Sequence, residues 1–303
     1  MVNVGAVKVE KGGAGEQSLA QRPVPRTLLR YLASKRCVLF AGAGLSKWGG
    51  LPTWAAFLSK LTETLREEKP DARRDEILSR MLDDGKFLEV AEFCKEALGK
   101  TIYAETLREA FNWNDITIPK PHEIIVRLPF AAIITTNYDR IIELSYLKAT
   151  LEDPRVVTYA ESEELGTLLF EGRFFILKAH GDIRKASEIV LTTQDYRQII
   201  HANPAFNDVF SAIMMTKSVL FIGYSINDPD FRLLLDRQLT NFSGSVPVRY
   251  ALLKRTNEIE HEFMMKSANI RVIPYDDHEE IVHFLQKLSD ELTAGSDSLL
   301  SLE

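Results

Sequence analysis

Four short apolar runs, each closing on a glycine or on polar residues, constrain this chain more than any other feature. They are Cys37-Val38-Leu39-Phe40-Ala41, Ala131-Ala132-Ile133-Ile134-Thr135, Phe174-Phe175-Ile176-Leu177-Lys178 and Ser218-Val219-Leu220-Phe221-Ile222. Such runs are too short for apolar helices but suit strands buried on both faces, which carry apolar side chains without alternation. Weaker strand patterns stand at 156–159, 249–253 and 270–274. Apolar residues at helical spacing fill the intervals, over 27–34, 54–67, 77–82, 87–98, 101–111, 141–147, 195–201, 207–215, 231–239, 258–267 and 279–292. Strands alternating with helices predict an α/β fold, with a mostly parallel sheet covered by helices on both faces. No convincing strand interrupts residues 71–128, so about 55–128 reads as a helical insert.

With 303 residues and 45% hydrophobic residues, the chain can bury a full core. Its net charge of -6 gives no support to direct nucleic-acid binding, which needs a basic face, and argues against a polybasic membrane anchor. No apolar stretch approaches the ~20 residues of a membrane span. The N-terminus lacks the compact apolar core of a signal peptide. Two cysteines, Cys37 and Cys94, cannot build a four-cysteine zinc site and read as buried apolar residues, so no metal and a cytoplasmic setting are expected. Residues 1–25 predict a flexible arm, 26–293 the folded domain and 294–303 a tail.

In parallel sheets ligands bind beyond the carboxyl ends of the strands, and four polar motifs fall there. The first is the turn Ala41-Gly42-Ala43-Gly44-Leu45-Ser46, whose glycines allow a tight turn and close approach of backbone N–H groups to a pyrophosphate. It departs from the dehydrogenase fingerprint, because Lys47 replaces the third glycine and no second strand follows promptly. The second is Thr135-Thr136-Asn137-Tyr138-Asp139; Asn137 offers donor and acceptor atoms, and Asp139 either faces a ligand or caps the next helix. The third, Lys178-Ala179-His180-Gly181-Asp182, places an imidazole suited to proton exchange near neutral pH beside a glycine. The fourth is Gly223-Tyr224-Ser225-Ile226-Asn227-Asp228, which offers N–H groups and a hydroxyl to a ribose or phosphate, or simply starts a helix.

In this order the four motifs resemble the sirtuin (SIR2) family, over roughly residues 36–275. The resemblance implies a Rossmann-like sheet and an NAD pocket lined by Ala41, Gly42, Ala43, Gly44, Ser46, Thr136, Asn137, Asp139, His180, Gly223, Ser225 and Asn227. Within it, Gly42, Ala43 and Gly44 are expected at the pyrophosphate, and Asn137 and Asp139 near the nicotinamide and its ribose. His180 matches the catalytic histidine, and Gly223 and Ser225 the loop for the adenosine half. Asn137 and His180 are therefore the expected catalytic pair. The four zinc-binding cysteines of protein-deacylating sirtuins are missing, and a helical insert stands in their place. Leu51-Pro52-Thr53-Trp54 also replaces the segment that follows the Gly turn in those enzymes.

Both departures resemble the zinc-free SIR2-like NADases of bacterial antiphage defence. The resemblance thus implies cleavage of NAD+ as substrate to nicotinamide and ADP-ribose, depleting the cell's NAD in abortive infection. It also implies a homo-oligomer and a HerA-like ATPase partner encoded nearby. Two alternatives stay open: an NAD or ADP-ribose sensor or assembly module controlling a partner, and an NAD-dependent deacylase or ADP-ribosyl transferase.

Overall fold

A computed structural model describes residue 19 and residues 22–111, 117–224 and 247–295. Seven strands form one sheet: β1 Cys37–Ala41, β2 Ile133–Thr135, β3 Val156–Thr158, β4 Ile176–Lys178, β5 Ser218–Ile222, β6 Arg249–Lys254 and β7 Ile270–Tyr275. Their order is β3-β4-β2-β1-β5-β6-β7, and every pairing is parallel. The expected Rossmann-like α/β fold is therefore the observed one, with a sheet wholly rather than mostly parallel among the described residues. Connections run from β1 toward β2 on one side and from β5 toward β6 on the other. The boundary between β1 and β5 is thus the switch point where an open α/β sheet forms its crevice.

Alternation along each strand divides the core. Leu39, Ile133, Ile176 and Leu220 face one layer, made by α1 (Arg26–Ala33), α6 (Lys120–Ile125), α7 (Ile141–Thr150) and α12 (Glu279–Ala294). Val38, Phe40, Ile134, Leu177 and Phe221 face the other, made chiefly by α8 (Ser162–Glu171), α10 (Pro204–Thr216) and α11 (Glu258–Ala268). A third apolar cluster joins α3 (Trp54–Glu68), α4 (Ala72–Asp83) and α5 (Phe87–Ala110) to Tyr138, Ile141, Ile183, Ile189 and Leu191. The helical segment therefore packs on the loops beyond β2 and β4, at the end of the sheet where the polar motifs lie.

Several boundaries differ from expectation. β2 and β4 begin two residues late, at Ile133 and Ile176, and β3 ends at Thr158. The helices expected at 87–98 and 101–111 run together as α5, broken at Gly99, whose φ of 75° no continuous helix accommodates. The helix expected from Asp195 is α9 (Thr193–Ala202), because Thr192 and Asp195 form a capping box that places Asp195 inside the first turn. Helix α8 has no counterpart among the expected helices, since Gly166 interrupts its apolar pattern. Part of the segment expected to be flexible is packed: Leu19 and Val24 are buried in the core, and Leu19 N–H donates to Glu280 Oε1 at 3.0 Å. The helix expected at 231–239 lies outside the described residues.

One buried side chain has no counterpart in the sequence reading. His122, in α6, is 1% exposed, and neither ring nitrogen has a hydrogen-bond partner among the described residues. Burial pushes its pKa down to about 4, against the pull of the Asp139 charge. Folded protein thus binds fewer protons here than unfolded chain between about pH 6.5 and 4, so this group's contribution to stability falls as pH falls through that window. A His122→Phe variant removes the titration and keeps the apolar contacts. We expect it to gain about 2 kcal/mol relative to the parent between pH 8 and pH 5. Urea midpoints of both proteins at the two pH values check this; parallel pH profiles count against it.

Candidate active site

The turn after β1 enters a single helical turn, α2 (Ala43–Ser46), and its glycines are used for contact between chain segments. Gly42 N–H donates to Ile222 O at 2.9 Å and Gly44 N–H to Gly223 O at 2.8 Å. A Cβ on Gly44 would meet Gly223 O at 2.8 Å, and one on Gly42 the same oxygen at 2.7 Å. Gly223 itself has φ +84°, and a Cβ there would lie 2.6 Å from Leu45 N. The β1 and β5 loops therefore touch backbone to backbone. The N–H groups of Gly42 and Gly44 are spent inside the protein, and that of Ala43 donates to no carbonyl among the described residues.

The β2 loop is stitched onto the same turn. Thr135 Oγ1 donates to Ala41 O at 2.9 Å and accepts from Asn137 N–H at 3.0 Å. Asn137 Nδ2 donates to Gly42 O at 2.9 Å and to Ser46 Oγ at 2.7 Å. A carbonyl only accepts, so this contact fixes the amide orientation and leaves Oδ1 as the Asn137 atom uncommitted among the described residues. Ser46 Oγ donates in turn to Asp139 Oδ2 at 2.6 Å. The other Asp139 oxygen accepts from Ile141 N–H at 3.0 Å, tightening the turn into α7. Asp139 thus fills the helix-entry role the sequence offered as an alternative, and both its oxygens have partners. Tyr224 Oη donates to Ala41 O at 3.2 Å, so the Thr136 hydroxyl, 2.9 Å away, donates to Tyr224.

Beneath this network Lys178, fully buried, reaches four oxygens. Its Nζ donates to the carbonyls of Tyr138 at 2.9 Å and Asp139 at 2.5 Å, to Glu143 Oε1 at 3.0 Å, and lies 3.2 Å from Asp182 Oδ2. Burial raises the Glu143 pKa despite the adjacent lysine. Burial acts the same way on Asp182, but the Arg184 hydrogen bonds and the Lys178 charge outweigh it and hold the pKa down to about 2. The sequence signal was available: a lysine closing an apolar strand needs internal partners once that strand is buried.

Two cavities open on either side of the Gly turn. The smaller, about 40 Å³, is lined by Ala43, Ser46, Thr136, Asn137 and Asp139, with Pro52, Trp54, Phe111 and Tyr138 as apolar walls. The larger, about 390 Å³, lies over the ends of β5, β6 and β7 and includes Gly44, Gly223, Tyr224, Lys254 and Tyr275. Ala43 and Trp54 line both. His180 lines neither; it is half-buried, with its ring edge-on to Tyr196 at 5.1 Å, and its carbonyl accepts from Val190 N–H. Ser225 and Asn227 lie outside the described residues. Cys37 and Cys94 are buried thiols, and no cluster of His, Cys, Asp and Glu able to hold a metal exists among the described residues. Nor is any described helix long and apolar enough to cross a membrane.

Residues 131–273, which span β2 to β7, match the model of the SIR2-like domain. The chain is 25% identical over 282 residues to NAD(+) hydrolase ThsA of Bacillus cereus (strain MSX-D12), covering 87% of this chain and 56% of that protein. It is 26% identical over 251 residues to NAD(+) hydrolase ThsA of Cytobacillus dafuensis, covering 83% and 48%. To Defense-associated sirtuin 2 of Bacillus subtilis it is 27% identical over 247 residues, covering 78% and 23%. The chain thus spans about half the length of the ThsA relatives and a smaller share of the sirtuin-named one.

The glycine contacts and the lysine cluster make separate demands. Gly223→Ala forces a side chain into positive φ and against Leu45, and should cost about 2 kcal/mol or more in denaturant unfolding. Lys178→Met leaves Glu143 and Asp182 without their shared cation and should cost about 3–5 kcal/mol. Unfolding midpoints within error of the parent would count against either assignment.

Proposed function

We propose that this chain hydrolyses NAD+ to nicotinamide and ADP-ribose. The observation that carries the reading is the pair of cavities astride the Gly turn, joined at Ala43 and Trp54. A dinucleotide has that form: two ends of unlike chemistry joined by a pyrophosphate. The uncommitted Ala43 N–H suits the pyrophosphate at the junction, the smaller cavity with Asn137 the nicotinamide ribose, and the larger one the adenosine half. The relatives named NAD(+) hydrolase support the same reading.

The reaction breaks the bond between C1′ of the ribose and the nicotinamide nitrogen. The bonding pair leaves with nicotinamide, which departs neutral and needs no acid. Positive charge then builds on the ribose ring, and water supplies the new bond at C1′, releasing one proton. Asn137 Oδ1, held by the two bonds its amide nitrogen makes, accepts from a ribose hydroxyl or the water. His180, on the loop after β4 and outside the lining of either cavity, is proposed as the general base that takes the proton. Asp139, Ser46 and Lys178 hold these loops in place. The glycines enter indirectly, by letting the β1 and β5 loops approach so closely that the two cavities meet.

Unrestrained NAD hydrolysis would kill the host. We therefore assign this activity to antiphage defence by NAD depletion in the cytoplasm, with restraint supplied by self-association and a separately encoded, HerA-like ATPase partner. Incubation with NAD+ alone separates this reading from acyl or ADP-ribosyl transfer, since hydrolysis yields free ADP-ribose without any acceptor. His180→Ala should lower turnover by about 100- to 10,000-fold with the fold intact. Asn137→Ala should lower kcat rather than raise KM alone. Undiminished hydrolysis by His180→Ala rules out its role as base, and an effect of Asn137→Ala confined to KM makes that residue a binding group.

A further inference from the structure

The larger cavity has a charge character unlike that of the chain as a whole. The protein carries a net charge of -6, yet no carboxylate lines this cavity among the described residues, while Lys47, Lys254 and His278 do. The three come from separate places at the carboxyl end of the sheet: the turn after α2, the last residue of β6 and the position before α12. Neither lysine forms an ion pair among the described residues. Nearby carboxylates are turned onto backbone amides: Asp277 accepts from Glu279 N–H, and Glu280 accepts from the N–H groups of Leu19 and Asp276. His278 feels both lysines, since burial first and then the Lys254 and Lys47 charges push its pKa down. Three cationic or cation-capable groups thus crowd one end of a cleft that no carboxylate lines among the described residues, with the Asp277 charge acting on His278 from outside the lining. Trp48, Tyr224 and Tyr275 supply aromatic surface on the same walls, suited to a purine ring.

In dinucleotide sites, a carboxylate near the adenosine ribose takes the 2′-hydroxyl of the unphosphorylated molecule, whereas a cation there accommodates a 2′-phosphate. We propose that Lys47, Lys254 and His278 recognise a phosphate on the adenosine ribose, so that the substrates of this chain include the 2′-phosphorylated dinucleotide NADP+. The inference rests on the reading of the cleft as a dinucleotide site, and the bond broken is the same one. The phosphate contributes binding only. Lys254 ends β6 beside the cavity and is the principal contact, and Lys47 reaches the same end from the Gly turn.

Calorimetric titration of the intact chain with ADP-ribose and with 2′-phospho-ADP-ribose tests this without requiring turnover. We expect the phosphorylated ligand to bind about tenfold more tightly at low salt, with the advantage shrinking as salt is raised. Lys254→Glu, at an exposed position, should abolish or invert the preference, and Lys47→Glu should reduce it. Equal affinities, or a preference for plain ADP-ribose, overturn the phosphate assignment and leave the dinucleotide reading standing. A preference that survives both charge reversals overturns it equally. Failure of both ligands to bind overturns the assignment together with the reading beneath it.

Discussion

The Lys178 ammonium is the constraint around which the active end of the sheet is arranged. It sits on β4 with no exposed surface, and four oxygens from three chain segments converge on it. Two are the carbonyls of Tyr138 and Asp139, so the charge fixes the backbone course of the β2 loop immediately after Asn137. A third belongs to Asp182, two residues beyond His180. One cation therefore sets the loops that carry both proposed catalytic side chains, although it touches neither side chain itself. Burying a lysine is costly, and the cost is offset only because every partner is in place. The arrangement is correspondingly intolerant of partial change.

Above this foundation the hydrogen bonds run toward the Gly turn in one continuous series. Asp139 holds Ser46, Ser46 receives Asn137, and Asn137 holds Gly42. The loops after β1 and β2 are thereby joined through side chains, and those after β1 and β5 through backbone contact. The distinction matters for chemistry. Side-chain stitching leaves one side-chain atom of Asn137, Oδ1, without a partner among the described residues, on a residue that lines the smaller cavity. Backbone contact leaves none at Gly42 and Gly44, and the Ala43 N–H of this turn donates to no carbonyl among the described residues.

Much of this was legible in the sequence, for identifiable reasons. Strands β1 and β5 are buried on both faces, so their apolar runs coincide with their observed limits. The sequence pattern extends β2 and β4 too far, because Ala132 and Phe175 are buried like strand residues and lie next to the strands, with Ala132 O and Phe175 O accepting from Leu39 N–H and Ile133 N–H. The four motifs mapped to strand ends because polar residues after a buried strand have nowhere else to go. The sequence could not tell whether a glycine serves a ligand or a neighbouring chain segment, because both uses demand a missing Cβ. It also could not show that Lys178, Glu143 and Asp182 meet, since partners 35 residues apart are brought together by topology alone. His122 carried no pattern at all, its isolation being a property of α6 packing.

The pairing of β1 with β5 has a consequence for how the molecule comes into being. Leu39 aligns with Leu220, so the central strand acquires one of its two neighbours only after the whole stretch between them has been made. At ordinary rates of synthesis that interval is roughly ten to forty seconds. Throughout it, five consecutive apolar residues present an unpaired edge. Such non-local pairing makes folding slow and leaves a sticky intermediate. The intervening helices α3 to α5 are held chiefly by contacts with one another, local in sequence. The architecture that brings two loops together at the Gly turn is thus the same one that obliges the nascent chain to wait for a strand made long after its partner.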